Sequence, residues 1–268
     1  DVDSAAPSFA LWELGRKVAQ DPKLTDLFDE GTIGLEERLR NSYHASTFVE
    51  AFDIFLKEFG SRGPNEWETA CETWGTDPIS VLILIDRMRH ADPTKSPKRR
   101  AEVLARNREQ ALASARSQLK GMGLWVFNKA LHASSLFSKA RERSKTTIID
   151  LIHVARLISR ELARRTSQHR ENGELIDLWF LLETELDEYI INPSAFDERI
   201  ADRKQVRNEL SRRIPPFIFE GNLPDPSEWP LRQEVDMGEL KYLTSGDSLK
   251  GFGGCPGITE GVARVISD

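Results

Sequence analysis

The chain has 268 residues, of which 39% are hydrophobic, 30% charged and 8% aromatic, and its net charge is −6. Length of this order allows one large domain or two modest ones, each with a sizeable core. No apolar run reaches the ~20 residues of a membrane span, Asp1-Val2-Asp3 is acidic where a secretory signal is basic, and two cysteines make no disulfide framework. The expectation is a soluble cytoplasmic chain with neither a membrane nor nucleic acid as partner, the acidic balance arguing against the latter.

Helical periodicity dominates from Ser8 to about Arg213. Phe9, Leu11, Trp12 and Leu14 open a first helix that Asp21-Pro22 breaks. Ala45 to Phe59 places Phe48, Ala51, Phe52, Phe55 and Leu56 at three- and four-residue spacing and stops at Gly60. Ile79 to Met88 reads as a short buried helix. Pro97 to Leu119 reads as a long charged one threaded by Leu104, Ala111, Ala115 and Leu119. Two further helices are predicted, from Leu124 towards Lys139 and over Thr146 to Thr166, and another between Ser194 and Arg213. Pro215-Pro216 ends this regime. Residues 215–250 are rich in Pro, Gly, Asp and Ser, and read as an irregular linker. Beyond them Gly251 to Gly257 is a glycine-rich turn leading into a strand, Ile258 to Ile266. The fold class is therefore mainly α: a multi-helix domain over 1–214, a linker, and a first β-strand of something else over 251–268. That strand has nothing after it to pair with and the chain has no initiator Met, as expected of a piece of a longer protein.

Common enzyme signatures are missing. There is no HExxH pair, no GxxxxGK[ST], no GxSxG, and no cysteine spacing for zinc, so no metal set is assigned. Two polar clusters remain. Arg62 lies between Ser61 and Gly63 in the turn after Gly60, followed by Pro64, Glu66 and Glu68. The acids suit a helix start, but an arginine with small neighbours is open to a ligand. Arg141, Glu142 and Lys145 form the second cluster. A helix extended back to Arg141 puts 141, 145, 148, 152 and 155 on one face, so Arg141 and Lys145 continue the stripe of Ile148, Ile152 and Ala155. Cations there need carboxylates or a bound anion; the other reading is a helix projecting past the core with solvated charges. His153, Arg156, Arg160 and Arg164 read as a surface stripe opposite the core, Arg87 to Arg108 as a solvated basic face, and Trp125, Phe127 and Phe137 as core.

These residues resemble the phosphoenolpyruvate-utilising phosphotransferases, of the phosphoenolpyruvate synthase and rifampin phosphotransferase type. Gly251 to Val265, with Cys255-Pro256-Gly257 and Gly261-Val262-Ala263-Arg264-Val265, is similar to the start of their swivelling phosphohistidine domain, Cys255 standing where Ser is common. Phe59-Gly60-Ser61-Arg62-Gly63-Pro64, Glu66 and Trp74-Gly75-Thr76-Asp77-Pro78 resemble a motif of the helical domain, with Ser61 where His often precedes the Arg. Arg141-Glu142 with Lys145, and Asp177 to Leu186, are similar to two more.

The resemblance implies a machine in which an ATP-grasp domain binds ATP and Mg2+, a swivelling domain carries a phosphorylated His, and an acceptor domain holds the final substrate. This chain corresponds to the acceptor-binding helical domain and the start of the swivelling domain, with the ATP-grasp and phosphohistidine parts in cis or on a separate subunit. No residue here is carried over as catalytic, and the segment alone is expected to turn over no ATP. Arg62, Glu66, Arg141, Glu142 and Lys145 are the expected substrate-binding residues, converging on one cavity that receives a hydroxyl-bearing small organic molecule. A non-catalytic helical scaffold and a fragment of a pyruvate, water dikinase are the alternatives. The latter has a barrel acceptor domain, and no strand-helix alternation of that kind occurs here.

Overall fold

The computed structural model describes residues 5–170 and 173–232. The architecture is mainly α, and among the described residues the β-structure is an isolated antiparallel bridge between Arg213 and Leu231. The predicted strand after Gly251 lies outside the described residues. No helix among those described is long and apolar enough to cross a membrane. The chain divides into two compact units, Asp1–Lys204 and Gln205–Asp268.

The first unit begins with five helices around one core: α1 (Ala6–Gln20), α2 (Pro22–Asp29), α3 (Leu35–Asn41), α4 (Ser46–Phe59) and α5 (Pro78–His90). Asp21 separates α1 from α2 because its carboxylate accepts from the amides of Lys23 and Leu24 while Pro22 takes the first helical position. The three- and four-residue spacing in α4 buries Phe48, Phe52 and Phe55 against Val18, Leu35, Leu39, Val81, Leu82 and Ile85. α1 lies along α5. The approach is close because Gly15 carries no side chain: a Cβ there would lie 2.6 Å from that of Met88. Arg16 completes the contact by donating to the carbonyls of Met88 and Arg89.

Two long helices follow, α6 (Pro97–Gln118) and α7 (Gly121–Ser167). The two helices predicted over 124–139 and 146–166 are one helix of 47 residues, about 70 Å long. No Gly or Pro interrupts residues 124–167, and four of the five residues Arg141 to Lys145 are good helix formers. α6 buries no residue, and Leu104 of its expected thread is 59% exposed. Ala105, Arg108, Leu112 and Arg116 of α6 instead face Asn128, Leu131, His132 and Ser135 of α7 across an open groove of about 470 Å³. Arg108 bonds Ser135 and Arg116 bonds Asn128 across it. The expectation that Trp125 and Phe137 are core is corrected: they are 59% and 71% exposed, because the α7 side chains that face α6 are Asn128, Leu131, His132 and Ser135; Phe127 is half-buried.

After α7 the chain turns through a 3-10 segment, Leu175–Phe180, into α8 (Leu186–Ile191) and α9 (Asp197–Ser211). A second core forms here from Ala163, Leu178, Tyr189, Phe196 and Ile200. Asp177 anchors it, fully buried between Arg170 and Lys204. Desolvation pushes this carboxyl up, yet the bonds from Lys204 and the Glu174 amide outweigh it and hold the pKa below the usual carboxylate value.

In the second unit residues 213–232 fold back on themselves. The Ile214 amide donates to Pro230 O at 2.8 Å, the Arg213 guanidinium donates to the carbonyls of Ser227 and Trp229, and Asp225 caps the turn Pro226–Glu228.

Candidate functional site

The loop between α4 and α5 carries the first predicted cluster, and its glycines explain its shape. Gly60 and Gly75 meet backbone to backbone: the Gly75 amide donates to Gly60 O at 2.9 Å, and a Cβ on Gly75 would lie 3.1 Å from that oxygen. One step in, the Trp74 amide donates to Arg62 O at 2.8 Å. The loop is thus closed at its base, and the residues between are free to shape a site.

Within that frame Glu66 is buried, and its carboxylate is shared. Oε2 lies 3.0 Å from Nε of Arg62 and Oε1 lies 3.2 Å from Nζ of Lys145 on α7. The structure therefore brings together three of the five predicted residues, from two segments distant in sequence. Arg62 is largely buried, whereas Lys145 keeps over a third of its side chain in solvent. Glu142 is one helical turn before Lys145 and mostly buried. Arg141 does not join the cluster: its side chain is 82% exposed and pairs with Glu142 at 2.7 Å. The continuation of the Ile148 stripe assumed for Arg141 does not hold, because Ile148 itself is exposed and the packed face of α7 runs through Ile149, Arg156 and Ala163.

A correction of larger consequence concerns Arg156 and His153, expected on the surface. Arg156 is fully buried. Its Nη2 donates to Glu66 O at 2.8 Å and Glu68 O at 3.0 Å, and its Nη1 lies 3.1 Å from Nδ1 of His153. The same Nδ1 is 3.3 Å from Thr73 Oγ1. Burial first, then the neighbouring Arg156 charge, hold the imidazole below its ordinary pKa, so it is neutral near pH 7. Burial also lowers the Arg156 pKa, although a guanidinium stays charged. Arg160 adds an ion pair to Glu72 at 2.8 Å, and Trp179 of the Asp177 segment donates to Thr69 Oγ1 at 3.0 Å. Loop 60–77 is therefore gripped from α7 and from the segment that follows it. Sequence spacing contained a signal for this, since Ile149, Ile152, His153, Arg156 and Ala163 share a face.

The cavities described next are lined by none of the five predicted residues. An open groove of about 720 Å³ over α3 and α4 is lined by Arg40, Tyr43, Val49, Asp53, Ile54 and Lys57. A smaller cavity of about 290 Å³ at the loop is lined by Asn65, Cys71, Glu72, Thr73, Asp77 and Ser80. Among the described residues no group of three or more His, Cys, Asp or Glu is placed to hold a metal ion. Chemically, the Glu66 cluster is a fixed pair of cations, one accessible, organised by a carboxylate: a disposition suited to an anion.

Comparison with known proteins adds the context. The family model described as the fourth domain of rifampicin phosphotransferase matches residues 1–143. An uncharacterised protein of Mycobacterium tuberculosis (strain ATCC 25618 / H37Rv) is 25% identical over 267 residues, covering 99% of this chain and 27% of that protein. A protein of Mycobacterium bovis aligns with the same figures. The uncharacterised phosphotransferase YvkC of Bacillus subtilis (strain 168) is 21% identical over 272 residues, 96% of this chain and 31% of that one. The chain thus spans less than a third of the length of these relatives.

Proposed function

The chain belongs to the family of the rifampicin phosphotransferase fourth domain, and from that premise we propose that it is the acceptor-binding part of an ATP-dependent, cytoplasmic phosphotransferase. In this reading a phosphoryl group leaves a phosphohistidine and joins a hydroxyl oxygen of a small organic molecule. The N–P bond breaks, an O–P bond forms, and the hydroxyl proton passes to a base. ATP and Mg2+ act on a domain or subunit outside these residues.

The observation that carries the reading is the Glu66 carboxylate shared between Arg62 and Lys145. Phosphoryl transfer asks the protein chiefly for positioned positive charge. Lys145 supplies it from a partly exposed position, Arg62 from a fixed one, and Glu66 holds both in place. Glu142, about 5 Å along the helix from Lys145, is the carboxylate assigned to take the hydroxyl proton. Lys139, Arg141 and Arg143, within two turns of Lys145 on α7, add positive charge beside it. Arg141, out on the rim, assists at most the approach of the anion.

The test uses the full-length protein labelled from radioactive ATP, with rifampicin and simple phenols as the acceptors first tried. Transfer of label to an acceptor is expected, and Lys145→Ala or Arg62→Ala lowers its rate by about tenfold or more while self-labelling persists. Variants that transfer as fast as the parent overturn the assignment of the site. A protein that labels itself but phosphorylates none of these hydroxyl compounds favours the scaffold reading, and transfer to pyruvate the dikinase one.

A further inference from the structure

Arg156 is a buried cation with an unusual set of partners. Among the described residues no carboxylate is within ion-pairing distance of it, and its Nε has no hydrogen-bond partner. What it does hold is backbone: the carbonyl oxygens of Glu66 and Glu68, two residues apart, both reached by one Nη2. Two carbonyls so spaced converge on a single nitrogen only where the chain turns between them. The turn is there, since Glu68 N donates to Asn65 O at 2.9 Å and Asn65 adopts a left-handed φ of 58°.

Arg156 and Lys145 are eleven residues apart on α7, close to three helical turns, and therefore face the same loop. Lys145 takes the Glu66 side chain and Arg156 takes the Glu66 carbonyl. His153 completes the clamp. Arginine only donates, so Nδ1 of His153 is the acceptor and its proton sits on Nε2.

We infer that Arg156 is the positioning residue of the phosphoryl-binding site, fixing the 66–68 turn so that the Glu66 carboxylate meets Arg62 and Lys145. The inference rests on the reading of that site given above. A buried charge left without a carboxylate is costly. Its retention is accounted for if the charge serves twice, once to clamp the turn and once to add to the positive field of Arg62 and Lys145 beside Glu66, with Glu68 and Glu72 acting on it through space. Lysine does not replace it, because an ammonium lacks the planar fork that spans the turn and His153 together.

The experiment uses the 268-residue chain and inorganic phosphate as probe, with affinity followed by calorimetry and folding by circular dichroism. Arg156→Ala is expected to weaken phosphate binding by about tenfold or more with helix content retained. Guanidinium ion at low millimolar concentration restores the affinity, and methylammonium does not. Arg156→Lys, which keeps charge and bulk, is expected to show the same loss and guards against an alanine variant that does not fold. Ala163→Gly, on the same packed face, serves as the structural control: it lowers thermal stability and leaves phosphate affinity unchanged. If the parent binds phosphate and both Arg156 variants bind it equally well, the positioning role is overturned while the site stands. If the affinity of every variant merely follows its stability, Ala163→Gly included, the role is also overturned. If the parent binds no phosphate, the reading of the site fails first and this inference with it.

Discussion

The two halves of α7 are the same helix under opposite conditions. From Ile149 to Thr166 it buries Ile149, Arg156, Ala163 and Thr166, and it holds loop 60–77 through Arg156, His153 and Arg160. From Gly121 to Ser144 it buries nothing and exposes Trp125, Leu136 and Phe137. The two halves are about equally apolar, yet the one with the buried guanidinium is the packed one. Helix formation and burial are separate matters. An uninterrupted run of good helix formers continues whether or not a neighbour covers it, whereas burial follows from what lies opposite.

The contrast is sharpest in its energetics. The packed half leads into the Asp177 anchor, where removing the buried carboxylate breaks two ion pairs and leaves Arg170 only the exposed Asp197 and Lys204 only the exposed Glu174; Asp177→Ala is expected to cost about 3–5 kcal/mol of unfolding free energy, read from urea denaturation. A cost below about 1 kcal/mol means that the pair is solvated after all. Next in size is a matched pair on α7. Ile149→Ala is expected to lose about 2–4 kcal/mol, and Leu151→Ala, two residues away on the exposed side, within about 0.5 kcal/mol of zero. Equal losses at the two positions break the comparison.

A third test is pH. The unfolded imidazole titrates near 6.5, and burial with the Arg156 charge holds the His153 value lower in the folded chain. The unfolded state therefore takes up the proton first, and stability is level above about pH 6.5 and declines as pH falls below it. Asp150, the other charge acting on this ring, opposes the shift but is outweighed. His153→Gln should flatten the slope between about pH 6.5 and 5; a parent chain whose urea midpoint is level across that window contradicts the burial of His153. The smallest effect is expected at Arg141, exposed and paired only at the rim. Arg141→Ala should change stability by less than about 0.5 kcal/mol and acceptor phosphorylation less than Lys145→Ala does, which steady-state rates of the two variants would show.

Much of this was legible before any coordinates. Pro22, Gly60, Pro78 and Pro97 mark helix boundaries where the structure has them, and the phenylalanines of α4 announce the first core. Residue chemistry and order also pointed to Arg62, Glu66 and Lys145, since isolated charges beside glycines and along a helix stripe are conspicuous. No helix breaker lies between Lys139 and Thr146, so the two predicted helices run on as one. α7 also carries apolar residues on both sides, among them Leu151 and Ile158 opposite Ile149. A period then defines two faces, and nothing local chooses between them.

By itself, then, the sequence determined that the chain is helical, where most helices start and stop, and which residue types were available for binding an anion. Only the tertiary structure decided which face of α7 is buried, that Arg156 lies inside while Phe137 lies outside, and that Glu66 meets Lys145 rather than Arg141. The reason is distance along the chain. Helix propensity and capping act within a few residues and are written locally, whereas the bond from Arg156 to Glu66 spans 90 residues and forms only once α4, α5 and α7 have packed around the loop between them.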